Sequence, residues 1–160
     1  EPEVYETAIG YLQQGLQLSE RQGDRQSQAL CLSSLGIAEV VLGQSSQAIA
    51  HLEDGIRAAQ FSGDLYLQGL NLAYLAEAHY RLEAQGMAIA TSGMSMYLLW
   101  QIGSTQWRQP AGLLTILQGQ LGETSFQALL NEQRSQIIRV IGVDGYDHLP
   151  TLLDQYRREG

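Results

Sequence analysis

The sequence contains no lysine: its nine basic residues are all arginines, set against 17 Asp and Glu, for a formal charge of −8. A chain without lysine has neither a lysine nucleophile nor a lysine phosphate clamp. With no cationic surplus it also lacks the means to neutralise phosphates, which argues against sequence-independent affinity for nucleic acid. Its one cysteine, Cys31, has no intramolecular disulfide partner, and between Leu30 and Leu32 it reads as a small buried thiol. Nowhere does an apolar run approach the roughly 18 residues of a membrane span. Yet 44% of the 160 residues are hydrophobic and only 16% charged, too apolar for disorder, so one folded domain is expected. The opening Glu1-Pro2-Glu3 has no basic stretch leading into an apolar one, so no targeting peptide is expected and a cytoplasmic location is. The lack of an initiator Met fits a segment of a longer protein.

Motifs that carry chemistry are scarce. No Gly-x-Gly-x-x-Gly and no Gly-x-Ser-x-Gly occurs. His51, His79 and His148 fall in three different elements, each without a second His or Cys at helical spacing, so no metal site is expected. Asp144-Gly145-Tyr146-Asp147 has two carboxylates in a glycine turn but lacks the ligand series of a calcium loop. Glu53 and Asp54 sit where an amphipathic helix keeps its solvated face. The expectation is therefore no catalytic residue, no cofactor and no enzyme. Tyr97-Leu98-Leu99-Trp100, with Ile102 and Trp107, reads as core where two units join, with an exposed recognition patch as the alternative.

What the sequence does have is internal repetition. Gly23-Asp24, Gly63-Asp64, Gly103-Ser104 and Ile141-Gly142 place glycines at spacings of 40, 40 and 39 residues, and Leu42, Leu82 and Leu121 follow the same spacing. Each unit holds two stretches of helical periodicity and none of strict alternation, so the chain is expected to be all-α. Leu32, Leu35 and Gly36 share one helical face, matched by Leu72, Leu75 and Ala76. Small residues at Gly36 and Ala76, and at Ala8, Ala48 and Ala88, mark close helix approach, where helix axes lie about 8–10 Å apart. The spacing and turn chemistry predict helices over Pro2–Gln22, Arg25–Leu42, Ser46–Ser62, Leu65–Leu82, Gln85–Ile102, Arg108–Leu121, Ser125–Ile141 and Pro150–Arg158. Thr124 and Gln127 have the form of a capping box, Gly142 to Gly145 reads as a loop, and Pro110 should delay or kink the sixth helix.

Leu32, Leu35-Gly36 and Ala48-Ile49, echoed by Leu72, Leu75-Ala76 and Ala88-Ile89, resemble the hallmark of the tetratricopeptide repeat, in a long 40-residue variety similar to Pins-type adaptors and bacterial signalling arrays. The resemblance implies a right-handed α/α superhelical solenoid of stacked antiparallel helix pairs. Its units would be a half repeat over residues 1–23, repeats over 24–63, 64–103 and 104–142, and a capping helix over 143–160. It also implies a concave groove that binds protein or peptide, lined by Ser33, Ile37, Val40, Ala73, Glu77, Tyr80, Arg81, Ile116 and Gln120. These residues suit an amphipathic or mildly basic segment, with neither nucleic acid nor membrane as partner. The alternative is a sensor or linker module of a larger signalling protein whose catalytic domain lies elsewhere. Because Tyr5, Ile9, Leu12 and Leu16 form an apolar stripe on an uncovered first helix, weak homodimerisation through that helix is also expected.

Overall fold

The computed structural model describes residues 2–159, and among them there is helix and no strand. The helices are α1 (Pro2–Gln22), α2 (Arg25–Val41), α3 (Ser45–Ser62), α4 (Leu65–Arg81), α5 (Gln85–Gln101), α6 (Arg108–Leu121), α7 (Glu123–Glu132) and α8 (Arg134–Glu159), with a 3₁₀ turn at Thr105–Trp107. They pack in adjacent pairs, and α2 also touches α4, as α4 touches α6.

The first five helices begin and end close to where the sequence predicts, for reasons of turn chemistry. Gly23 and Gly63 close α1 and α3 with φ of 66° and 72°, a left-handed conformation that costs a residue without Cβ nothing. Asp24 and Asp64 follow at once as N-caps, their carboxylates accepting from the amides of Ser27 at 3.1 Å and Leu67 at 2.9 Å. Ser27 also donates its hydroxyl to Asp24, and these bonds hold the Asp24 carboxyl below its ordinary range. Loops this short leave consecutive helices antiparallel. At the α4–α5 turn the left-handed position belongs to Glu83, with φ of 58°, where the α2–α3 turn has Gly43.

Pro110 acts as expected: the 3₁₀ turn comes first, and Pro110 then falls in the opening turn of α6, where its missing N–H leaves no carbonyl unpaired. Beyond α6 the sequence reading needs correction. The expected seventh helix, Ser125–Ile141, is divided at Gln133 into α7 and the start of α8. Glu123 rather than Thr124 opens α7, and Gln127 bonds the Glu123 side chain at 3.0 Å, so no capping box forms. The expected loop at Gly142–Gly145 is helical apart from one residue. Gly142 alone leaves helical geometry, at φ 75° and ψ 171°, and the helix resumes directly, carrying Pro150 inside it rather than at its start. Gly145 is buried there; a methyl group added to it would lie 3.0 Å from Ile141 and from Tyr97.

The core is uneven along the chain. Its main body surrounds α5, which has no charged residue and is buried without a break from Ala88 to Met96. A helix apolar on every side must be covered on every side, and α4, α6, α7 and α8 all pack against it. Leu98, Leu99 and Trp107 belong to this core, while Tyr97 and Trp100 are half-buried around His148, whose ring lies 4.8 Å from that of Trp100. The run therefore lies mainly in the core, with Ile102 left exposed. A smaller cluster, Val40, Ala48, Leu52, Leu75 and Ala78, joins α2, α3 and α4. In α1 the only buried residue is Ser19. Cys31 is half-buried and free, packed where α1 presents Gly15.

Candidate functional site: the free face of α2, α4 and α6

Each side of α2 can be assigned from its contacts. Gly36 meets Leu52 of α3; Ser33 accepts a bond from Asn71 of α4 at 2.8 Å; Cys31 and Gln28 face α1. Helical periodicity leaves Leu30, Ser34, Ile37 and Val41 on the uncovered side. Leu30 is 51% exposed and Val41 45%, and Ile37 and Ser34 are half-buried. The corresponding positions of α4, 40 residues on, are Leu70, Tyr74, Glu77 and Arg81. On α6 the exposed counterparts are Ile116 and Gln120.

Of the nine groove residues expected from sequence, Ile37, Glu77, Arg81, Ile116 and Gln120 lie on this face. Ser33, Val40 and Ala73 do not. They are buried, at 2%, 2% and 4% exposure, where no partner can reach them: Ser33 is bonded to Asn71 of α4, Val40 lies in the cluster that joins α2, α3 and α4, and Ala73 is interior to α4. The error is a rotation of one residue, about 100° on a helix: Ser34, Val41 and Tyr74, each one position later, take their places. Tyr80 is half-buried and ties α4 to α6, its hydroxyl accepting from Gln120 at 2.9 Å. Leu30 and Leu70 were missed altogether, although Leu30 stands seven residues before Ile37 and repeats its apolar character on the same stripe.

Polar bonds stitch this face together. Arg81 donates to the Val40 carbonyl at 2.6 Å and to Glu77 at 2.9 Å, so one guanidinium joins the end of α2 to α4. Tyr66 donates to Gln106 at 3.2 Å across the next junction. With the Asn71–Ser33 and Gln120–Tyr80 bonds, these links join residues 38 to 41 apart in sequence. At the Gly23 end of α2 a cleft of about 840 Å³ opens between α2 and α3, lined by Leu30, Leu67, Arg57 and Phe61, with Arg25 stacked over the Phe61 ring at 4.5 Å.

Buried polar groups lie behind the face. Glu39, 5% exposed, pairs with His51 Nδ1 of α3 at 2.8 Å. His79, at the corresponding place in α4, is 7% exposed and its Nε2 has no protein partner; burial pushes its pKa below the ordinary value, opposed by the negative charge of Glu53. These histidines belong to helix packing. Among the described residues no three His, Cys, Asp or Glu side chains gather as metal ligands would. Glu53 is exposed, and Asp54 pairs with Arg57. None of the described helices is long and apolar enough to cross a membrane.

Comparison with protein-family models, curated proteins and solved structures finds no match to this chain.

Proposed function

We propose that the chain is a tetratricopeptide-type solenoid that binds a protein or peptide along the free face of α2, α4 and α6, in the cytoplasm and without catalytic activity of its own. The observation that carries the reading is the series of exposed or half-buried apolar residues on one side of α2, α4 and α6: Leu30, Ile37 and Val41, then Leu70 and Tyr74, then Ile116, with Leu70 repeating Leu30 at the same position 40 residues on. Exposed apolar residues scattered singly need no explanation, but residues aligned over three helices form a surface that water leaves unsatisfied. Bonds between residues about one repeat apart support a stack of like units. The charge on this face is sparse and internally paired through Glu77 and Arg81. It therefore suits an amphipathic or mildly basic segment whose apolar side enters the groove.

A displayed random-peptide library tests the reading. Panning on the intact chain should enrich peptides with apolar residues at regular spacing. Ile37→Arg and Tyr74→Ala should each abolish capture of the enriched peptides with helical content unchanged, whereas Glu53→Ala should not. Enrichment indifferent to all three substitutions, or none at all, would remove the groove from consideration.

A further inference from the structure

Apart from Phe61 of α3, which lies under the Arg25 guanidinium, the most exposed large apolar residues of the N-terminal half belong to α1 and the adjoining side of α2. On α1, Val4, Tyr11 and Leu18 are 62%, 70% and 56% exposed, at seven-residue intervals. These are not the stripe expected from sequence: Ile9, Leu12 and Leu16 are half-buried, on turns of the helix nearer α2. The two helices run antiparallel, with Gly15 against Cys31 and the Ser19 carbonyl accepting from Gln28 at 3.1 Å. In right-handed antiparallel helices in this register, the flank of α1 bearing Val4, Tyr11 and Leu18 opens to the same side as the flank of α2 bearing Leu30, Ile37 and Val41. Leu18 then stands near Leu30, Tyr11 near Ile37, and Val4 near Val41. The result is a two-helix apolar face of three layers with no charge in it.

The geometry points to a second copy of this chain as the occupant, docked face to face with α1 antiparallel to its counterpart. The pattern is its own complement: reversal about Tyr11 sets Val4 opposite Leu18, Tyr11 opposite Tyr11 and Leu18 opposite Val4, as an isologous two-fold interface requires. Four helices then enclose three apolar layers, and the seven-residue spacing is that of side chains meeting knobs-into-holes. Charge selects the direction. Parallel pairing would stack Glu3 and Glu6 on their own copies, whereas antiparallel pairing brings that end beside the Glu20–Arg21 end, which is neutral in sum. A chain of charge −8 repels itself over most of its surface, so an uncharged face is where contact between copies costs least. Helices about 31 and 25 Å long, each about 10 Å wide, offer roughly 550 Å² per copy, at the lower limit for a specific pair. The dimer is therefore reversible and concentration-dependent.

Sedimentation equilibrium over a concentration series tests this. The wild-type chain should dimerise, and Tyr11→Glu, which puts two carboxylates on the two-fold axis, should weaken association by about tenfold or more. Tyr11 is too exposed for this change to unfold the chain, and Ile116→Glu should leave the dimer as it is. Geometry is read by oxidation in a Cys31→Ser background. Tyr11→Cys should cross-link to itself, and Val4→Cys should cross-link to Leu18→Cys in a mixture but not to itself. A monomer at every concentration, a dimer indifferent to Tyr11→Glu, or a cross-link of Val4→Cys to itself would each overturn the proposal. Leu30, Ile37 and Val41 serve both readings, so the variants that separate them are Tyr11→Glu, which should weaken the dimer and leave peptide capture intact, and Tyr74→Ala, which should do the reverse.

Discussion

Replacing Gly36 by alanine isolates the close approach of α2 and α3. A methyl group built there lies 2.5 Å from Cγ and 2.7 Å from Cδ2 of Leu52, and 3.2 Å from the Leu52 backbone nitrogen. Carbon atoms prefer about 3.5–4.0 Å, so the shortfall is about 1 Å. Leu52 is fully buried, at 0% exposure, and has no solvent side into which to turn. The nearby backbone nitrogen also keeps α3 from simply closing over the change. Overpacking of this kind costs about 1–3 kcal/mol. Against it stands the gain of about 0.5–1 kcal/mol from replacing a mid-helix glycine by alanine. The net expectation is a loss of about 0–2.5 kcal/mol, near the upper part of that range because the clash is with a fully buried side chain. Gly119→Ala supplies the control, because Gly119 lies in α6 with nothing within 4 Å of the added methyl; it should gain the propensity term alone. Urea unfolding followed by circular dichroism should move the two midpoints in opposite directions at unchanged slope. Leu52→Ala, costly by itself, should relieve the clash when combined with Gly36→Ala, giving a favourable coupling. Equal stabilisation by both glycine substitutions would refute the close-approach argument.

Three further outcomes are expected. Glu83→Gly should raise stability by about 0.5–1 kcal/mol, since Glu83 holds a positive φ that glycine adopts freely; thermal unfolding checks it, and a loss would mean that the side chain does more than occupy the turn. His51→Ala strands the buried Glu39 carboxylate and should cost about 1–3 kcal/mol, with Glu39→Gln recovering part of the loss in the double variant. For His79 the folded pKa lies below its ordinary 6.5, so as pH falls through 6.5 the unfolded chain takes up a proton first. Its contribution is complete above that value and is lost as pH drops toward the folded pKa. Stability measured from pH 7.5 to about 5 should therefore fall less steeply in His79→Gln; identical profiles would show that His79 does not titrate differently on folding.

The local chemistry of the first five helices was legible because it is written in neighbouring residues: at Gly23-Asp24 and Gly63-Asp64 a Gly-Asp pair both ends one helix and caps the next. The C-terminal third was not, because there local signals yield to packing. Gly145 looks like a loop residue, but its lack of a side chain lets the part of α8 beyond the Gly142 kink lie close to Tyr97 of α5 and to Ile141 before the kink, and Pro150 is tolerated on an exposed side of that helix. On the free face, periodicity fixed which turn of each helix looks outward but not the last 100°. Ser33 and Ser34 are indistinguishable by type, and only the bond from Asn71 reveals which of them is interior. The exposed stripe on α1 was hidden for a related reason: Tyr5, Ile9, Leu12 and Leu16 form as good an apolar series as Val4, Tyr11 and Leu18, and only the angle at which α2 meets α1 separates them.

The lopsided core has a consequence for the order in which the molecule comes apart. Interior contacts are concentrated around α5 and thin out through α3 and α2 to α1, which buries one serine and touches a single neighbouring helix. Opening free energies should follow the same gradient, so amide hydrogens would exchange first in α1, next at the Gly23 end of α2, and last in α5. The surface proposed for docking thus sits at the end of the molecule expected to open first. A ligand or a second copy seated there would slow exchange well beyond the residues it touches, because whatever holds α1 down also closes the route by which the rest begins to unravel.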